Sequence, residues 1–123
     1  MHLVNMYLNH SSEKFEIIIA KSFLARAGGL LFRKKLTDRQ CLLITPCRSV
    51  HTIGMLYNID IVFIDAFGYI TDIYYNVKPF KVITASVHAC SVVEFLGGTL
   101  EQLDLSKNNH LFINERVSIH HPL

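Results

Sequence analysis

Apolar residues along this chain come in short runs separated by turn-forming clusters, and several runs alternate with a period of two. Residues 1 to 12 read as a loose or strand-like lead-in ending at His10-Ser11-Ser12. Phe15 to Ala20 is short and rich in isoleucine, which predicts a strand. From Ser22 the period changes. Phe23, Leu24, Ala27, Leu30 and Leu31 recur at helical spacing, with Ser22 placed to cap. Gly28 and Gly29 interrupt that pattern, and each costs about 1 kcal/mol against alanine inside a helix. One short helix ending near Ala27 is therefore expected.

Cys41 to Thr45 predicts a brief strand stopped by Pro46. Ile59 to Asp65 and Tyr69 to Val77 form the clearest hairpin, turning around Ala66, Phe67 and Gly68. In its first arm Ile59, Ile61 and Phe63 share one face and Asp60, Val62 and Ile64 the other. Asp60 thus points the same way as two large apolar residues, so that face is half open or the carboxylate has a partner. Ala85 to Leu96 reads as a strand ended by Gly97-Gly98, Thr99 to Asp104 as a helix of one or two turns, and His110 to Ile119 as a last alternating strand. The fold class this predicts is mainly β (α+β), a small antiparallel sandwich or distorted barrel with two short helices.

The bulk composition changes that picture little. With 123 residues the chain has the length of one ordinary domain, taken as residues 1–123 with a core over about 15–119. Half of the residues are hydrophobic and 18% are charged, which supports a packed core rather than disorder. A formal charge of +2, with one basic cluster at Arg33, Lys34 and Lys35, gives no footprint for nucleic acid. Three cysteines, Cys41, Cys47 and Cys90, do not make an even disulfide framework and fit a reducing cytoplasm. No window approaches the ~18 apolar residues of a membrane span, and the start lacks the pattern of a secretory signal. A soluble, cytoplasmic monomer without a cofactor is expected.

Candidate chemistry concentrates in Pro46 to Asp65, which reads PCRSVHTIGMLYNIDIVFID. It sets Cys47, Arg48, His51 and Met55 in a turn-prone segment running into the strand that carries Asp60. Several blocks together give this chain a resemblance. Arg26 precedes a G-L-hydrophobic-x-R turn at Gly29 to Arg33. An H-x-hydrophobic-x-M segment follows at His51 to Met55, then a D-hydrophobic-hydrophobic-F strand at Asp60 to Phe63 and an acid-to-Gly-Gly corner at Glu94 to Gly98. Their order and spacing resemble the bacterial and archaeal DUF192 family over about residues 15 to 119. The resemblance implies a compact, mainly β domain with no established activity. By position, Arg26, Arg33, Arg48, His51, Met55, Asp60, Glu94 and Gly98 match its pattern. Asn58-Ile59 stands where the family has a proline before its strand aspartate, and Lys107-Asn108-Asn109 replaces a Gly-Asp turn.

Three chemical readings compete. Cys47, His51 and Met55 are spaced by four and offer soft ligands of the kind Cu(I) prefers, but cysteine and methionine are also ordinary core residues. Cys47 or Cys90 can serve as a nucleophile with His51 as base and Asp60 orienting it, yet no oxyanion hole is recognisable. Arg26, Arg33 and Arg48 can meet Asp60 and Glu94 in a cleft for an anion; alternatively Arg48 or Arg26 neutralises Asp60 and Glu94 bonds a backbone turn, since half-buried carboxylates normally require partners. The glycine pairs at 28–29 and 97–98 do not have phosphate-loop spacing and serve tight turns. Tyr57, Tyr69, Tyr74 and Tyr75 read as cover for a sheet edge.

The reading these observations support is a non-enzymatic binding or accessory module. Its expected ligand-binding residues are Arg48, His51, Met55, Asp60, Arg26, Arg33 and Glu94, around a pocket of Arg48, His51 and Asp60. The expected partner is a protein or a small anionic ligand, with neither nucleic acid nor membrane involved. The rival is a thiol- or metal-dependent enzyme using His51 with Cys47 and Met55.

Overall fold

The computed structural model describes residues 3–8, 14–20, 35–52, 55–103, 105–107 and 109–114. Nine strands account for most of them: β1 Leu3–Leu8, β2 Lys14–Ala20, β3 Gln40–Ile44, β4 Ser49–His51, β5 Ile59–Ile64, β6 Ile70–Val77, β7 Val82–Thr84, β8 Ser91–Leu96 and β9 Leu111–Asn114. Seven lie in one sheet of order β6-β5-β8-β3-β2-β1-β9, and β4 and β7 form a separate two-stranded ribbon. Among the described strands only β2 and β3 run parallel. A parallel pair needs a crossover of a dozen or more residues, and 21 to 39 provide the length.

The sheet curls until its two edges touch. A bridge joins Tyr69, before β6, to His110, before β9. The Ile70 N–H donates to the Asn109 carbonyl at 2.8 Å and the Leu111 N–H to the Gly68 carbonyl at 2.9 Å. The contact stops at that corner, so the sheet is an incompletely closed roll. Inside the roll lies one apolar cluster, to which both edges contribute: Phe15, Ile17, Leu43, Val62, Val93 and Phe95 meet Ile70 and Leu111. A second cluster covers the outer face, with Leu42, Ile44, Ile59, Ile61, Phe63 and Val92 packed beneath Val50, Met55 and Ala85. The β4–β7 ribbon is the lid of this outer cluster.

Having a core on each face explains why all six residues of β5 are buried. A continuous apolar run is what a strand covered on both sides requires. The expected faces hold: Val62 and Ile64 belong to the inner cluster, and Ile59, Ile61 and Phe63 to the outer one. The predicted hairpin is also present. Asp65 shapes its turn, its Oδ1 accepting from the N–H groups of Phe67 at 2.8 Å and Tyr69 at 3.0 Å. Gly68 there has φ +91°, which a side chain disfavours.

Three expectations need correction. The architecture is a single mixed roll with an added ribbon, neither a closed barrel nor a purely antiparallel sandwich. Among the described residues no α-helix is found. The helix expected at Thr99 is only a 3-10 turn at Leu100–Gln102, whose Leu100 N–H donates to the Asp60 carboxylate from β5. The helix expected from Ser22 lies outside the described residues. The strand expected from Ala85 to Leu96 starts only at Ser91, since the Ala85 N–H donates to the Arg48 carbonyl just past β7. Among the described residues no helix is long and apolar enough to cross a membrane.

Candidate functional site

The sequence groups Arg48, His51, Met55, Asp60 and Glu94; the fold distributes them over three levels. Asp60 faces the inside of the roll, where its exposure is 0%. Its Oδ1 accepts from the Asn76 N–H at 2.7 Å and the Gly98 N–H at 3.3 Å, and its Oδ2 from the Leu100 N–H at 2.7 Å. The site is built around this carboxylate. β6 carries a bulge between its pairings to Ile59 and Ile61, and Asn76 in that bulge has φ +51°. Gly97 must be glycine, since a Cβ there would stand 2.7 Å from the Asn58 carbonyl oxygen and 2.8 Å from Asn76 Oδ1. Asp60 therefore ties β5, the β6 bulge and the turn after β8 together. Among the described residues its partners are backbone amides, and Arg48 is not one of them.

Glu94 sits on the opposite face. On β8 it pairs with Leu42 and Ile61, both residues of the outer cluster. It is 4% exposed, and its Oε1 has no hydrogen-bond partner among the described residues. Burial raises its pKa from the usual 4.5 to about 7. The Tyr57 hydroxyl is also buried without a hydrogen bond among them. Burial, followed by the Glu94 charge, raises its pKa, and the Leu36 backbone partly opposes this. The Lys35 ammonium lies 5.4 Å over the Tyr57 ring centre. The sequence suggested that Glu94 bonds a backbone turn; that role belongs to Asp60.

Arg48 and His51 are on the ribbon and exposed. Antiparallel pairing sets His51 opposite Val82 and Ser49 opposite Thr84, all on the outer face, while Val50 and Ile83 point inward. The Arg48 Nη2 donates to the Ser86 carbonyl at 3.3 Å. Met55 is buried in the outer cluster and Cys47 packs against it, so the four-residue spacing does not stack these two with His51. Cys47 Sγ donates to the Ser49 carbonyl at 3.2 Å. Cys41 is buried, which pushes its thiol well above the ordinary range. Among the described residues no three His, Cys, Asp or Glu side chains converge as metal ligands. Arg26 and Arg33 lie outside the described residues.

One residue that sequence reasoning missed organises the ribbon. Thr52 is 0% exposed. Its hydroxyl donates to the Lys78 carbonyl at 2.7 Å and accepts from the Lys81 N–H at 2.8 Å, bridging the two ends of the Lys78 to Lys81 turn. Its N–H donates to the Lys81 carbonyl, and its own carbonyl accepts from Phe80 and Met55. A threonine between His51 and Ile53 gives no sequence signal for this, because its partners are 26 and 29 residues away.

The whole arrangement has close counterparts. The model of the DUF192 family, described as an uncharacterized ACR, matches residues 6–113. The chain belongs to the DUF192 family. It is 32% identical over 104 residues to UPF0127 protein PH1112 of Pyrococcus horikoshii, covering 82% of this chain and 89% of that protein. Two solved structures share the DUF192 fold seen here. A protein of unknown function from Novosphingobium aromaticivorans has a TM-score of 0.78 at 19% identity, over 89% of this chain and 84% of its own. A "putative transcription regulator" from Sinorhizobium meliloti has a TM-score of 0.79 at 21% identity, over 90% and 93%. At such identities these two speak for the fold alone. The resemblance drawn from residue order is thereby shown, and the match begins within β1, upstream of the expected core.

Proposed function

We propose that this DUF192 domain is a non-enzymatic binding module, and that its recognition surface is the β4–β7 ribbon carrying Arg48 and His51. The observation that carries this reading is the division of labour among the polar residues. Asp60 and Thr52 spend their side-chain bonds on the chain's own backbone. Arg48 and His51 are presented to solvent on a platform packed against the outer cluster. A cation and an imidazole on a rigid two-stranded support suit an anionic ligand group, with the guanidinium giving directional donors. Met55 and Asp60 then act beneath the surface as supports.

The test is a titration of isotopically labelled protein with small di- and tricarboxylates and with pyrophosphate, followed by amide NMR shifts. Saturable changes confined to residues 48–52 and 78–88, lost in Arg48→Ala and His51→Ala at unchanged melting temperature, are expected. Changes centred instead on the cleft of about 240 Å³ beside Phe15, Arg39, Gly98 and Gln102 would move the site there.

A further inference from the structure

The ribbon's outer surface carries more than Arg48 and His51. Phe80, in the turn leading into β7, has φ +68°. It follows Pro79, at the turn position where glycine or asparagine is the usual choice. Large side chains avoid this left-handed conformation, and one held there calls for an explanation. Burial is not the explanation, because Phe80 is 75% exposed. The turn is fixed by Thr52, and the result is an aromatic ring held out into water. Val82, beside His51, is 68% exposed, and Val87, next to the Arg48 partner Ser86, is 77% exposed.

The charge around these apolar groups is of one sign. Residues 47–52 and 78–88 contain Arg48, Lys78, Lys81, His51 and His88 and no acidic residue. One carboxylate bonded to this region, Asp72, accepts from Thr71 Oγ1 and the Ser86 N–H. The backbone adds a third feature. Hydrogen bonds join Ala85 to Arg48 and Thr52 to Lys81. With that phase, Ser49, His51, Val82 and Thr84 turn their N–H and C=O groups toward the ribbon's outer edges.

Resting on the module reading above, we propose that the ribbon docks an extended acidic segment of a partner protein, apolar in its middle and carboxylate-bearing at both ends. Arg48 lies at one end of the ribbon and the Thr52–Lys81 pair at the other, four residue steps or about 14 Å apart. An extended peptide covers that distance in four residues, so acids flanking three apolar residues meet both ends. Val82 lies within that span and meets the apolar middle, and Phe80, one residue past the Lys81 end, covers the segment where it leaves the ribbon. The outward backbone groups favour a peptide over a lipid surface, since a strand supplies complementary donors and acceptors and acyl chains do not.

The experiment is fluorescence anisotropy on the full chain with a labelled peptide Asp-Glu-Val-Phe-Val-Glu-Asp, its counterpart with lysine at the four acidic positions, and phosphatidylserine vesicles. Saturable binding of the acidic peptide is expected, at least tenfold tighter than the lysine peptide and weakened by salt. Phe80→Gly should weaken it about tenfold without lowering the melting temperature, because glycine accepts the backbone angle. Arg48→Gln and Lys81→Gln should each weaken it several-fold and flatten the salt dependence. Equal binding of both peptides, binding of vesicles only, or a Phe80→Gly variant that binds like the parent would overturn the proposal. If small anions still shift residues 48–52 while the acidic peptide fails to bind, the peptide is wrong and the module stands. If neither acts at the ribbon, both readings fall.

Discussion

Asp60 and Glu94 are both carboxylates on neighbouring central strands, and both are almost completely buried, yet they occupy opposite physical states. Asp60, inside the roll, accepts three backbone N–H groups. Glu94, on the outer face, has an oxygen with no partner among the described residues and a pKa raised by burial to about 7. Burial alone therefore says little about what an acid does. A buried charge is tolerable when aligned dipoles replace the lost water, and costly when they do not. In this fold the first acid is a joint between strands. The second is a group that gives up its charge near neutral pH.

The largest test of this contrast is Asp60→Ala. It strands three backbone donors, each worth about 1–3 kcal/mol when left unsatisfied. A loss of about 4 kcal/mol in urea unfolding is expected, with Asp60→Asn losing roughly half as much because one carbonyl oxygen remains. A loss below about 1 kcal/mol would mean that water replaces the carboxylate at no great cost.

Glu94→Gln should act in the opposite direction. The folded state holds its proton up to about pH 7, whereas the unfolded chain releases it near 4.5. Between those values the folded state binds more protons, so stability falls as pH rises through that window. At about 1.4 kcal/mol for each pH unit, the ionised acid costs on the order of 3 kcal/mol above pH 7. The glutamine variant should therefore be more stable than the parent by about that much at pH 8.5, and nearly equal at pH 4. Urea midpoints at the two pH values check this, and a variant less stable than the parent at pH 8.5 would show that the charged carboxylate is held by a partner.

Two smaller effects carry the contrast to neutral groups. Thr52→Val keeps the shape but removes the hydroxyl that closes the Lys78 to Lys81 turn, and a loss of about 2 kcal/mol with faster exchange of the Lys81 amide is expected. Phe80→Gly should change stability by less than about 1 kcal/mol, because relief of the left-handed angle and the flexibility of glycine nearly cancel. A melting-temperature comparison measures both.

The local pattern was legible where neighbours in sequence determine the outcome. Alternation in Ile59 to Ile64 gives the strand and its two faces, and it flags Asp60 as an acid on an apolar side. Asp65 and Gly68 give the turn of the hairpin through contacts within four residues. The ribbon was not legible. Ser49–His51 and Val82–Thr84 are three residues each, too short for any period, and become strands only by pairing with each other across the outer cluster. Grouping Asp60 with Arg48 and His51 failed for the same reason. Their nearness along the chain carries no information about which side of the sheet each occupies.

By itself, then, the order of residues determined the strand-rich composition, the alternation of β5, its turn and membership of the DUF192 family, because these depend on side-chain type at fixed short spacing. Only the tertiary structure decided the parallel β2–β3 pair, the curl that joins Tyr69 to His110, and the opposite fates of Asp60 and Glu94. Those depend on which backbone donors arrive from 16 to 40 residues away, and whether a buried acid meets such donors is set by packing rather than by its own neighbours.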